Sequence, residues 1–483
     1  MIQNKNQPQA ESLSLGPPRL WIEHCGLTTG ESMLDSGKDM AGEYAYFDAL
    51  LLFPKQIMRF EAEEVVGREK EILQLFEEFV CQPWFNALGD AIEAQAWRAI
   101  QEKYSIPLPL VLCALSYELG AQSHEIEPRL HFHSAPALWA ARYPSVYLWD
   151  RKKREGWIVG ADHRSIEALK VRILQAHDSM NHTDDQSKDE GDFHGSCFEP
   201  QCTFETYQER FNRLQDRLLD GDIYQMNLTI PLSFKLPEQT ESISIFKKMW
   251  AVNSGQFNML IQLDADQSIL SLSPERLVKW DREVDHDDEE RYIETAPIKG
   301  TRPRRSEPKL DQKERDELVS CLKDQAEHVM ILDLERNDLG RICKSGSVQV
   351  VMDREIRSYA TVHHLVSVVR GQLLPNQKLS DILKAIFPGG SVTGAPKRRA
   401  MALIRRLEFG PRGIYCGALG YIDPLGGGDL NLPIRTLVKN KDTLLYHSGG
   451  GVVIDSSAQG EWDELWVKTI GFERGLTQAT DEQ

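Results

Sequence analysis

Lysine rarely turns inward, because its ammonium loses hydration when buried. Lys299 nevertheless stands between Ile298 and Gly300 in the run Ala296-Pro-Ile-Lys-Gly-Thr301. A lysine buried there has a lowered pKa and is a usable nucleophile at neutral pH. An outward-facing strand lysine fits the same pattern, and Arg302, Arg304 and Arg305 after it read as solvated or loop-tethering. A second chemical segment is Phe387-Pro-Gly-Gly-Ser-Val-Thr-Gly-Ala-Pro-Lys397. It is not a P-loop, since Ala-Pro-Lys follows the second glycine cluster where Lys-Ser/Thr would be needed. As a loop opening a helix, it can offer backbone N–H groups, Ser391 and Thr393 to an anion. A plain turn explains the glycines but not the Ser/Thr/Lys cluster.

Two carboxylates come next. Glu327, followed by His328, lies in a helical pattern, and Glu464 lies in Glu461-Trp-Asp-Glu-Leu-Trp-Val-Lys468. Isolated helix carboxylates are usually solvated. Two that converge could bind Mg²⁺, which takes one or two protein carboxylates and completes its shell with water and substrate. His363 and His364 occupy a strand-like run, so alternation sends them to opposite faces. His194, Cys197 and Cys202 lack a fourth partner for a zinc site.

The surrounding elements are legible in outline. Phe204, Tyr207, Phe211, Leu214 and Leu218 share one face of a helix over 203–220, with Gly221 at its C-terminal cap. Further helices are expected over 311–332, running on toward Gly340, and over 395–407, with Pro396 in the first turn. Strands are expected at Leu108–Leu115, Ile223–Leu232, Ile269–Trp280, Arg291–Ile298 and Gly417–Ile422. Glycine-rich hairpins mark Gly426–Gly428 and Gly449–Gly451. The mixture lacks strict βαβ alternation, so an α+β fold, or a sheet sandwich flanked by helices, is favoured over a Rossmann fold.

The chain has 483 residues, 41% of them hydrophobic, which is enough for a sizeable core. Its net charge is −17, which argues against nucleic acid and anionic membranes as partners. Two acidic stretches carry much of it: residues 184–192 contribute −4 and residues 281–290 contribute −6. Both read as surface loops without Ca²⁺-loop spacing. By contrast, residues 298–309 are +4 and residues 389–412 are +5, so the candidate chemistry is locally basic. Eight scattered cysteines without a Cys-x-x-Cys, no signal-like apolar start and no run of ~18 apolar residues lead us to expect a cytoplasmic chain.

Several ordered motifs now form a series: Gly221-Asp-Ile-Tyr-Gln-Met-Asn-Leu228, Ser273-Pro-Glu-Arg276, Pro297-Ile-Lys-Gly-Thr-Arg302, Asp333-Leu-Glu-Arg-Asn-Asp-Leu-Gly340, His364-Leu-Val-Ser367, the 387–397 loop and Gly413-Ile-Tyr-Cys-Gly-Ala-Leu-Gly-Tyr421. The series, from about residue 203 to 472, resembles the chorismate-utilising enzymes. The resemblance implies two packed β-sheets in a sandwich flanked by helices. It divides the chain into a flexible N-terminal arm (1–18), an N-terminal part of the fold (19–180), an acidic loop or linker (181–202), a chorismate-binding catalytic region (203–474) and a flexible tail (475–483).

Within that family, water-adding members carry lysine where this chain has Gln225, and anthranilate-forming members carry alanine where it has Lys299. The resemblance is therefore to the branch that aminates chorismate at C4, supplying 4-aminobenzoate and folate; the anthranilate-forming branch is the alternative. It implies Lys299 as nucleophile at C2, Glu275 as acid/base and His364 as an assistant on the C4 side. It further implies Mg²⁺ held by Glu327 and Glu464. Substrate would be bound by Tyr415, Arg435, Ser391, Thr301, Gly449, Gly450 and Lys468. No His-x-Glu and no Gly-x-Cys-x-Gly elbow occurs. Ammonia is thus expected from a separate glutamine amidotransferase subunit. Relatives that bind tryptophan carry Asn-Pro-x-Pro before an aromatic residue. Asn253-Ser-Gly-Gln-Phe257 has no proline, so tight tryptophan binding is not expected.

Overall fold

Proline cannot donate to a strand ladder. Accordingly the run expected as one strand over Ile269–Trp280 breaks at Pro274, into Gln267–Ser273 and Arg276–Trp280. The break moves the chain from one sheet to the other and leaves Glu275 in the crossing. The computed structural model describes residues 8–36, 47–82, 90–104, 107–128, 135–182, 193, 196–252, 255–281, 290–359 and 362–477.

Among these residues the strands form a 12-stranded and a 10-stranded sheet, antiparallel at each pairing that builds the site, with helices packed outside. The sandwich expected from the motif series is the observed fold. Both sheets interleave the early and late chain. Ser32–Asp35 pairs with Phe257–Gln262, and Val111–Leu115 pairs with Ala418–Ile422. Residues 19–180 and 203–474 are therefore halves of one fold.

Four expectations need correction. The arm over 1–18 is not free throughout: Gln9–Ser12 pairs with Glu155–Gly160 at the sheet edge. The helix expected over 311–332 is two helices, Pro308–Ser320 and Leu322–Gly340, separated where Cys321 takes an extended ψ of 103°. The linker over 181–202 is tied down at its end, where Glu199–Pro200 pairs with Leu232 and Ser233. The acidic stretches at 183–192 and 282–289 lie outside the described residues, as do His194, Asn253 and residues 478–483. The strands flanking the second stretch, Arg276–Trp280 and Tyr292–Ala296, pair as a hairpin.

Nor do Gly449–Gly451 form a hairpin: they lie within the Thr443–Val452 strand, paired with Thr229, Leu228 and Asn227, where the absence of side chains lets the backbones pack closely. The expected helix after Thr203 is observed. Thr203 caps the Phe204–Leu219 helix, its Oγ1 accepting from the Thr206 N–H, and Gly221 follows at φ 71°. Tyr207, Phe211, Leu214 and Leu218 are buried. No described helix is long and apolar enough to cross a membrane.

Candidate active site

The Ile298–Pro303 strand delivers Lys299, half-buried, to the edge of the smaller sheet. Its Nζ lies 3.4 Å from the Ser391 carbonyl. Burial lowers its pKa, and the carboxylates Glu327, Glu275 and Glu464 work against that shift while Lys468 adds to it. The residue is thus caged by three acids drawn from three distant segments. Free amine is more available here than on a solvated lysine.

Glu275 sits beside this cage, 5% exposed. Ser391 Oγ donates to its Oε1 at 2.7 Å, and the Ile298 N–H approaches the same oxygen at 3.4 Å. Burial pushes the carboxyl up to about 6, against the Ser391 bond and the Lys299 charge. The 387–397 loop therefore does what its Ser/Thr composition suggested, but for a protein carboxylate. Ser391 is committed to Glu275, and Thr393 Oγ1 donates to the Gly389 carbonyl of its own loop.

On the facing helices, Glu327 comes from Leu322–Gly340 and Glu464 from Ala458–Thr477. Burial raises the Glu327 pKa, with Glu464 among the charges that add to it. Lys468 Nζ pairs with Glu464 at 2.8 Å and donates to the Gly449 carbonyl at 2.8 Å. Beside them, Gly450 leaves a cradle: a methyl there would lie 2.8 Å from Glu461 Oε2 and 3.5 Å from Glu464 Oε1. Among the described residues no group of three or more His, Cys, Asp or Glu is arranged to hold a metal. Two carboxylates beside an open cradle nevertheless suit Mg²⁺, which needs no more from the protein. Glu461 was missed from sequence, although its spacing of three from Glu464 puts both on one helix face.

The two histidines separate as alternation requires. His363 is wholly buried and fully bonded, to Ser358 Oγ at 2.8 Å and to Asp311 at 3.0 Å. His364 faces the site. Its Nδ1 meets Thr301 Oγ1 at 2.9 Å, and its buried Nε2 has no partner. Burial, helped by Arg435, pushes the ring down to about 3, so it is neutral at physiological pH. His328 turns away from Glu327, with Nε2 at 2.7 Å from Ser367 Oγ.

Arg435 holds a left-handed φ of 53°, a strained backbone state for a long side chain. Burial lowers its pKa, and the Tyr446 hydroxyl works against that shift. Arg435 is half-buried, and a guanidinium can hold a carboxylate through two parallel hydrogen bonds. Tyr415 is buried, its ring stacked on His447 at 5.3 Å. Gln225 is wholly buried, and neither its Oε1 nor its Nε2 has a partner. A separate cavity of about 90 Å³ is lined by Asp35, Ser36, Gln256, Phe257 and Asp429 among others, and Phe257 belongs to the proline-free segment.

The sequence profile described as chorismate binding enzyme matches residues 62–474. The chain belongs to the chorismate binding enzyme family. It is similar to aminodeoxychorismate synthase component 1 of Salmonella typhimurium, 38% identical over 273 residues, which cover 56% of this chain and 58% of that one. It is also similar to an anthranilate synthase component 1 of Haloarcula marismortui, 39% identical over 287 residues, covering 59% of this chain and 56% of that one. The aligned stretch thus spans less than two thirds of either relative. A solved anthranilate synthase component I from Streptococcus pneumoniae superposes with a TM-score of 0.72 at 26% identity, covering 91% of this chain and 94% of that one.

Proposed function

We propose that the chain is the large component of an aminodeoxychorismate synthase, converting chorismate and ammonia to 4-amino-4-deoxychorismate. The observation that carries this reading is Lys299, half-buried inside a cage of Glu275, Glu327 and Glu464. Its Nζ attacks C2 of the ring. The double bond shifts, and the C4 hydroxyl departs as water with a proton from Glu275. Ammonia then attacks C4, the double bond returns, and the lysine leaves. Glu275, left as a carboxylate, takes a proton from the alkylated Lys299, returns it when the lysine leaves, and recovers its own from the ammonium formed at C4. His364 orients the C4 substituents; its neutral ring and unpartnered Nε2 support that role. Arg435 holds a substrate carboxylate, and Tyr415, Thr301, Ser391, Lys468 and the Gly449–Gly450 backbone shape the rest of the pocket.

Glu327 and Glu464, with Glu461 beside them, would hold Mg²⁺. When bound there, the ion supplies positive charge against the ring carboxylate. The name of the Salmonella relative, component 1, supports a partner subunit, for which a glutamine amidotransferase is the chemical requirement.

Incubation with chorismate, Mg²⁺ and ammonium, with the product identified by mass spectrometry, tests the reading. It expects 4-amino-4-deoxychorismate without pyruvate. Direct appearance of anthranilate and pyruvate would favour the other branch, to which the Haloarcula and Streptococcus proteins are assigned by name. For the ion, calorimetric Mg²⁺ titration should give saturable binding in the presence of chorismate. Glu327→Gln and Glu464→Gln should each weaken it at least about tenfold, through loss of an anionic oxygen ligand. Binding unchanged in both variants would remove these residues from the ion's site.

A further inference from the structure

One ring nitrogen of His364 is held by Thr301, and the other is left for the site. That single bond does not fix the ring. The χ2 torsion of histidine is broad, so an imidazole pinned at one atom still tilts. A second contact comes from a residue that no step above uses. Tyr359 follows the Gln349–Ser358 strand, and its ring lies against His364 with centroids 5.5 Å apart and planes at 56°. That separation and tilt are those of a favourable aromatic pair.

Tyr359 is itself fixed from three directions. Its N–H donates at 2.8 Å to the carbonyl of Val362, which opens the strand that carries His364. Its carbonyl accepts from Arg304 Nη1 at 2.8 Å. Its hydroxyl accepts from Gln256 Nε2. Arg304 comes directly after the Lys299 strand, and its Nε donates to Asp311, the partner of His363. Ser358, the residue before Tyr359, bonds the other nitrogen of His363 and accepts from Arg315 at 2.7 Å. The histidine strand is therefore locked through His363, and Tyr359 stands between that lock and the His364 ring. It also reaches the segments that carry the reacting groups. With Pro274 and Ile298, the residues before Glu275 and Lys299, it lines a small cavity of about 10 Å³.

We propose that Tyr359 is the positioning residue for His364: its ring sets the tilt at which Nε2 meets the C4 substituents, and Gln256 sets that ring through the hydroxyl. The inference rests on the amination reading above. Tyr359 takes no proton and forms no bond to substrate; its effect reaches the reaction through His364 alone. Loss of the ring lets the imidazole tilt. A smaller fraction of bound substrate is then held in reacting geometry, while the carboxylate contacts keep their strength. The signature is a lower kcat at unchanged KM.

The test is a double-mutant cycle on the full chain with chorismate, Mg²⁺ and ammonium. Tyr359→Leu should lower kcat about tenfold, with KM for chorismate unchanged. Tyr359→Phe keeps the ring but loses the tether, and Gln256→Leu removes the same tether from its other end. Each should cost about threefold, and the two together no more than either alone, because they share one interaction. In a His364→Ala background, Tyr359→Leu should have no further effect. A tyrosine that merely stabilised the fold would act equally in both backgrounds. A loss that persists without His364, or a wild-type kcat in Tyr359→Leu, would overturn the proposal, and additive losses in the tether pair would remove Gln256 from it.

A second measurement needs no turnover. In protein labelled with carbon-13 at histidine Cε1, the His364 signal is the one absent from His364→Ala. It should be a single sharp line in wild type, and broadened or doubled in Tyr359→Leu. Equal line shapes in the two proteins would overturn the positioning role. If wild type aminates no chorismate, the amination reading fails, and the His364 line still decides whether Tyr359 holds that ring.

Discussion

Replacing Lys299 with alanine is expected to lower kcat for amination by at least about a thousandfold, because the step it performs has no substitute in the pocket. The neighbours explain why this lysine can react. Burial favours the free amine, whereas Glu327, Glu275 and Glu464 favour the ammonium. Burial is the larger effect, and the net pKa is lowered. The three acids keep the amine oriented without holding its proton at full strength. KM for chorismate should change little, since substrate carboxylates are assigned to Arg435 and to the ion at Glu327 and Glu464. Lys299→Arg should be equally inactive, because a guanidinium does not deprotonate. Intact-mass analysis with chorismate and no ammonium should show an adduct on wild type and none on Lys299→Ala. An alanine variant that aminates at the wild-type rate would end the nucleophile assignment.

How much of this was legible before the structure depends on how local each signal is. The split between His363 and His364 follows from a period of two, and it is observed. The sandwich follows from motifs that share an order. What sequence could not supply is convergence: Glu275, Lys299, Glu327 and Glu464 span 190 positions of chain numbering, and only the folded sheets bring them within each other's field. The helix break at Cys321 was illegible because Ser320-Cys321-Leu322 contains neither glycine nor proline. Ser391 and Thr393 were read as candidate ligands for an anion, and the anion for Ser391 turned out to be Glu275.

The second large effect concerns stability, at the residue after Glu275. Arg276→Met should cost about 3–5 kcal/mol in urea unfolding, since it removes one member of a buried charge network. Arg276 is 3% exposed. Its Nε and Nη2 donate to the two oxygens of Asp429, each at 2.8 Å, and its Nη1 donates to Glu294 at 3.1 Å. The guanidinium also stacks 5.4 Å above the Phe257 ring. Methionine fills much of the volume but leaves Asp429 without its bidentate partner, and Glu294 is left with Arg370, which is half exposed. Asp429→Asn should cost less, because it leaves a neutral acceptor and removes one negative charge from the pair. The network also spans strands. Arg276 pairs with Ala296 and Asn431 in the sheet, and the register slips beside it after the crossing at Pro274. The ion network therefore anchors the turn that sets the direction of Glu275. Loss of stability in Arg276→Met should accordingly be accompanied by a lower kcat in the protein that remains folded. A variant that unfolds at the wild-type urea midpoint would show that packing, not the buried charges, holds this crossing.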